Sequence, residues 1–210
     1  DETRRGETRR MRAHPFLHFL RRAMSKRFFT SDPHLLHEYV ARLRGYQSSA
    51  EHDAVFCRSW RETVGKRDSV WVLGDIAVGN RARALEMLHD LPGTKHLIVG
   101  NHDACSPISL RAHKYQREYL EVFESVQQSA QIKIAGQRVV MSHFPYEGDH
   151  AGIEERYTQW RLRDEGVPLL CGHVHDEWRV RGHQFNVGVD HTPRMRPTSE
   201  EEVILWLKAL

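Results

Sequence analysis

The strongest constraint on this chain is a form that occurs five times, an apolar run of strand length that stops abruptly at a histidine or a carboxylate. Leu97 to Asp103 (LIVGNHD) shows it most fully, because a buried-strand pattern runs straight into Asn101, His102 and Asp103. Phe28 to His34 (FFTSDPH), Val70 to Asp75 (VWVLGD), Val139 to His143 (VVMSH) and Leu169 to His175 (LLCGHVH) repeat it. Val70 to Leu73 is continuous rather than alternating, the pattern of a strand covered on both faces. In folds that alternate strands and helices, ligands bind at the carboxyl ends of strands. All five polar stretches lie there, so the question the sequence poses is whether those ends meet.

The stretches between them supply the helices. Glu51 to Val64 gathers Ala54, Val55, Trp60 and Val64 loosely on one side, and Arg81 to Leu91 places Ala84, Leu85, Leu88 and Leu91 at helical spacing before Pro92-Gly93 stops it. Further helices are expected over Pro107 to Leu120 and Ile153 to Arg163, and strands over Arg27 to Thr30 and His96 to Val99. Gln131 to Ser142 alternates around Ala135-Gly136-Gln137 as a hairpin, Leu169 to Cys171 is a strand, and Glu177 to Val189 gives two more strands turning at Gly182-His183. Ser199-Glu200-Glu201-Glu202 has the capping-box pattern ahead of a last helix. The order predicts an α/β fold in a single domain, a mixed β-sheet or sandwich with helices outside.

Composition bears on partners and compartment. With 210 residues, 40% of them hydrophobic, the chain is long enough for one sizeable core. Its formal charge of +3 is local: Asp1 to Ala23 holds seven arginines against three acids, which is +4 and leaves −1 for the rest. A near-neutral body does not favour broad binding to nucleic acid. Met24 followed by Ser-Lys-Arg-Phe-Phe reads as a natural start, with residues 1–23 a basic N-terminal extension, non-native or a functional arm, and 24–210 the domain. Three widely spaced cysteines, Cys57, Cys105 and Cys171, make neither a disulfide framework nor a thiolate zinc site, and fit a reducing, cytoplasmic setting. No apolar run reaches the roughly 18 residues of a membrane span.

Each polar motif alone is weak, since Asp-x-His and Gly-Asp are common. Together, Asp32-x-His34, Gly74-Asp75, Gly100-Asn101-His102-Asp103, His143 and Gly172-His173-x-His175, in this order and at strand ends, resemble the calcineurin-like metallophosphoesterase superfamily. The resemblance runs from about Arg27 to Asp190, and Trp71 to Asp75, Ser142 to Pro145 and Asn186 to Asp190 (NVGVD) point to its small phage and bacterial members.

The resemblance implies a metal site. Asp32, His34 and His175 would hold one divalent ion, and Asn101, His143 and His173 a second. Asp75 would bridge both, and His102 would be the catalytic histidine beside the metals. Two ions roughly 3.5 to 4 Å apart need a shared anionic ligand and a bridging hydroxide, which fits Asp75. A nitrogen and oxygen donor set without thiolate suits manganese, iron or zinc better than a soft metal and does not choose among them; manganese is the expected ion, with iron or zinc as alternatives. Asp103 is expected to fix the His102 tautomer and favour its protonated form, the state an acid needs.

The expected activity is metal-dependent phosphoester hydrolysis by the bridging hydroxide, as a phosphodiesterase on small or cyclic nucleotides. Phosphomonoesters come second, then a nuclease or end-processing enzyme using the Arg-rich start, and last a metal-free scaffold. The expected partner is a small phosphoester substrate, with no membrane. His37, one helical turn from His34, is either a surface residue or a contact to a metal ligand or to the substrate. His52 is read as surface or packing, and His150, His183 and His191 as candidates to line the cleft from ill-defined loops.

Overall fold

The computed structural model describes residues 25–210, so the basic segment 1–23 and its boundary at Met24 lie outside the described residues. In chain order the elements are β1 (Arg27–Thr30), α1 (Glu38–Leu43), α2 (Ser49–Thr63), β2 (Ser69–Val72), α3 (Arg81–His89), β3 (Thr94–Ile98), α4 (Ala112–Leu120) and β4 (Ser125–Gln127). The second half contributes β5 (Ser129–Ile134), β6 (Gln137–Ser142), β7 (Leu169–Cys171), β8 (Val180–Arg181), β9 (Gln184–Asn186), β10 (Thr198–Ser199) and α5 (Glu200–Leu207).

These strands form two mixed sheets. The first has the order β10-β1-β2-β3-β4, with β1 to β4 parallel and β10 antiparallel at the edge; the second runs β5-β6-β7-β9-β8, with a parallel centre and antiparallel edges. The parallel pairs force crossovers, and in the first sheet α1 with α2, then α3, then α4 supply them.

Both faces of the first sheet are covered, as the continuous run Val70 to Leu73 requires. Phe28, Val70, Val72 and Leu97 pack with Phe56, Trp60, Leu85 and Leu88 of α2 and α3. Phe29, Leu73 and Ile98 face the other way, onto Val139, Met141, Leu170 and Phe185 of the second sheet and Trp206 of α5. Fully burying one such phenylalanine contributes about 1.5 to 3 kcal/mol. The two neighbours Phe28 and Phe29 therefore anchor β1 in two different cores at once. The expected α/β sandwich flanked by helices is the fold observed.

Local expectations hold where capping or alternation is explicit. The Ser199 hydroxyl and the Glu202 carboxylate cap α5 reciprocally, the hairpin turns at Ala135 and Gly136, and Ser48 caps α2. Two differ. Ile153 to Arg163 is not a helix but an irregular loop with one 3₁₀ turn, Thr158–Trp160, preceded by Tyr157 in the left-handed region at φ 57°. Ile153, Tyr157 and Trp160 mimic helical spacing, yet the Arg161 guanidinium takes the carbonyls of Pro145, Gly148 and Arg156 and holds the chain in a loop. Pro107 to Leu120 becomes helical only at Ala112, because Ser106, Ser109 and Ala112 each close a short turn onto the residue three before. Helix α1 and strand β4 were not expected from the sequence. Among the described residues no helix is long and apolar enough to cross a membrane.

Candidate metal centre

The five strand ends meet. β1 ends at Thr30, β2 at Val72, β3 at Ile98, β6 at Ser142 and β7 at Cys171, and the candidate residues follow each of these ends within a few positions. Asp32, His34, Asp75, His173 and His175 all sit in the left-handed region, with φ between 44° and 72°. That conformation costs a non-glycine residue of order 1 kcal/mol or more and persists only where the surroundings impose it. Five such residues in one place point their side chains into a common centre.

Close backbone approach explains three glycines nearby. A Cβ on Gly100 would collide with the Asp75 carboxylate, and one on Gly172 with the Ser31 hydroxyl and Asp32. Gly74 also turns at φ 91°, where only glycine is unstrained, and a Cβ there would collide with the Gly100 backbone.

The side chains form two adjoining groups. In the first, His34 Nε2 and His175 Nε2 lie 3.1 Å apart, with Asp32 Oδ1 3.9 and 3.8 Å from them. In the second, Asn101 Oδ1 is 3.2 Å from His143 Nε2 and 3.1 Å from His173 Nδ1. Asp75 stands between them: its Oδ2 is 3.8 Å from His34 Nε2 and 3.5 Å from His143 Nε2, while its Oδ1 accepts the His102 amide at 2.8 Å. Ligand atoms of Asp32, His34 and His175, and of Asp32, Asp75 and His143, are close enough to share an ion.

The donor set fits divalent cations. Asp32 Oδ1 is buried with no hydrogen-bond donor, an orphaned anionic oxygen aimed at two imidazoles. Burial, with repulsion from Asp32 on Asp75 and from Asp75 on Asp103, pushes the Asp75 and Asp103 carboxyls up to about 6, a cost that bound cations relieve. The His143 Nδ1–H donates to the Leu73 carbonyl at 2.6 Å, which leaves Nε2 as a lone pair facing Asp75. Burial lowers the His34 and His173 imidazoles, the latter to about 2, so both stand as neutral donors. For His143, burial also acts downward, but Asp75, Asp32 and the Leu73 carbonyl together leave it raised.

The residue expected to orient His102 has a different task. Asp103 Oδ2 accepts the amides of Asp75 and Gly100 at 3.0 and 2.7 Å, and Oδ1 accepts that of Ile76 at 3.2 Å. Both oxygens are occupied by backbone, so Asp103 stitches the Gly74-Asp75 turn to the Gly100 turn. Nor does it make His102 more basic on balance: burial, followed by His143, lowers the imidazole, and Asp103 opposes this only in part. His102 itself lies at the mouth with 47% of its side chain exposed, Nε2 3.9 Å from Asp75 Oδ2.

Several supports carry no motif. Asp149, in the loop after β6, places Oδ2 3.5 Å from His173 Nε2 and is held by Arg156 and Arg161 at 2.7 and 3.3 Å. Burial pushes its carboxyl up, but Arg156 and the amides of Arg156 and His150 outweigh that and keep it well below the usual range. Such a carboxylate on the outer nitrogen of a ligand histidine fixes its tautomer. Arg44 donates to the Asp32 and Pro33 carbonyls and pairs with Asp190 at 2.7 Å, while His52, fully buried rather than on the surface, bridges Arg44 and Asp53. Asn186 Nδ2 donates to the His175 carbonyl at 2.8 Å. The NVGVD stretch was the only sequence signal for this network; Asp149 had none.

The centre opens into a cleft of about 240 Å³, whose walls include His37, Tyr39, His102, His150, Arg156 and Tyr157. His150 therefore lines the cleft, whereas His183 pairs with Asp164 and His191 with Asn186.

Residues 29–196 match the model of the calcineurin-like phosphoesterase superfamily domain. The chain is 42% identical to the Gene 66 protein of Mycobacterium phage L5, over 86% of this chain and 93% of the phage protein. It is 41% identical to the Gene 66 protein of Mycobacterium phage D29, over 84% and 94%. In fold it is similar to AQ665, a protein of unknown function from Aquifex aeolicus, with a TM-score of 0.67 and 24% identity over 87% of this chain and 99% of that one.

Proposed function

This chain belongs to the calcineurin-like phosphoesterase superfamily, and from that premise we propose that it hydrolyses small phosphodiesters, linear or cyclic nucleotides, with two divalent ions held about Asp75. Asp32, His34 and His175 would hold one ion, and Asn101, His143 and His173 the other, with Asp75 Oδ2 shared. Bound there, the ions supply Lewis-acid neutralisation of the phosphoryl charge and activation of water. Donors of nitrogen and oxygen alone suit manganese, iron or zinc better than a soft metal, and manganese is the ion proposed.

The protein's own part is to aim and to move a proton. His143 offers a fixed Nε2 because Leu73 takes its Nδ1–H, and His173 offers Nδ1 because Asp149 faces its Nε2. His102, half exposed beside Asp75, donates from its ring to the leaving oxygen.

The observation that carries the diester reading is the charge of the cleft wall. Among the described residues, and outside the candidate ligands, it includes a single guanidinium, that of Arg156, already paired to Asp149, and no lysine. A monoester dianion gains little there, whereas a monoanionic diester needs no further cation. Tyr39 and Tyr157 in the wall offer ring faces for a base.

The test is turnover of bis(p-nitrophenyl) phosphate, p-nitrophenyl phosphate, cyclic nucleotides and linear dinucleotides by the Mn²⁺-loaded protein. Diesters are expected to exceed monoesters in kcat/KM, with activity lost to a chelator and restored by Mn²⁺. A preference for monoesters overturns the diester reading, and inertness on all four classes with Mn²⁺, Fe²⁺ and Zn²⁺ overturns the enzymatic one.

A further inference from the structure

His37 caps α1 in an unusual way. Its Nδ1 accepts the Val40 amide at 3.1 Å, so Nδ1 carries a lone pair and the ring hydrogen sits on Nε2. Among the described residues Nε2 has no hydrogen-bond partner, although the ring lines the cleft with Asp75, Asn101 and His102 and meets the His34 ring edge-on at 6.0 Å. The capping task alone does not call for imidazole, since asparagine, aspartate and serine are the preferred caps. The second nitrogen is what histidine adds. With Nδ1 occupied and Nε2 protonated, the ring has no lone pair to offer a metal.

We propose that His37 is a substrate-binding residue whose Nε2–H donates to a non-bridging oxygen of the phosphoryl group. No motif carried over by family resemblance includes this position, and the proposal rests on the phosphoester reading above. A neutral N–H beside the metal ligands suits an anionic oxygen, and the cap holds the ring without a second side chain.

The test separates the two nitrogens. His37→Asn keeps a good cap but shortens the side chain and withdraws the Nε2 donor; His37→Ala removes both. With Mn²⁺-loaded protein and bis(p-nitrophenyl) phosphate as probe, His37→Asn is expected to keep wild-type metal content and melting temperature. Its kcat/KM should fall roughly 10- to 100-fold, with inhibition by inorganic phosphate weakened in parallel. Wild-type kcat/KM and phosphate inhibition in His37→Asn overturns the proposal. So does a loss of Mn²⁺ or of thermal stability matching His37→Ala, which assigns the imidazole to the fold. If the wild-type protein binds Mn²⁺ but does not turn over the probe, the hydrolysis reading has failed separately. Calorimetric titration with inorganic phosphate then decides on His37: weaker binding in His37→Asn supports it, equal binding contradicts it.

Discussion

The two walls of the metal centre are built by different means. On the wall from the first sheet, short turns are bonded backbone to backbone: the Asp32 amide donates to the Gly74 carbonyl at 3.0 Å and the His34 amide to that of Asp75 at 3.1 Å. Asp103 then gathers three more amides from those turns. On the wall from the second sheet, His143, His173 and His175 face a long irregular loop that is bonded side chain to backbone and side chain to side chain, through Asp149, Arg156 and Arg161. The first wall reaches the site as part of the folded sheet. The second has His173 and its brace Asp149 on separate segments that must find one another. Loss of a support should therefore cost stability on the first wall and metal affinity on the second.

The largest effect is expected where the walls join. Asp75→Asn removes the shared anionic oxygen, and turnover of bis(p-nitrophenyl) phosphate should drop by about a thousandfold or more, with metal content by mass spectrometry falling below that of any single ligand variant on either side. Retained metal with unchanged turnover would remove Asp75 from the centre.

Next comes the first wall. Asp103→Ala leaves three buried amides without an acceptor, each costing about 1 to 3 kcal/mol, against a total stability of about 5 to 15 kcal/mol for a domain. Urea unfolding should show a midpoint lowered to the edge of folding. A midpoint near wild type, with only activity reduced, would restore the expected role of Asp103 as a partner of His102.

The smallest of the three belongs to the second wall. Asp149→Asn should lose less stability than Asp103→Ala, since the remaining amide oxygen can still accept from the surrounding amides and guanidinium groups, although it weakens the half-exposed pair with Arg156 and the buried pair with Arg161. Metal affinity, measured by competition with a chelator, should weaken roughly 10- to 100-fold. If Asp149→Asn is instead as destabilised as Asp103→Ala, the contrast between the walls is wrong.

The same contrast explains what could be read from the sequence. The apolar runs were legible as strands because both their faces are buried, and the residues that end them were legible because a histidine or carboxylate there is conspicuous. The Asn186 to Asp190 stretch was visible as a similarity, though not as the brace behind His175 and Arg44. Asp103 misled through adjacency: residues next to one another at a turn point in different directions, and its carboxylate went to the amides. Asp149 was invisible because its task depends on a loop closing over His173, and the apparent helical spacing of Ile153, Tyr157 and Trp160 concealed that loop. Helix α1, only six residues long, has too little periodicity to announce itself.

The central claim is a pair of ions sharing Asp75, and anomalous diffraction from crystals soaked in Mn²⁺ tests it most directly. Two peaks roughly 3.5 to 4 Å apart are expected, one among Asp32, His34 and His175 and one among Asn101, His143 and His173, with Asp75 touching both. A single peak, or peaks that Asp75 does not bridge, would contradict it.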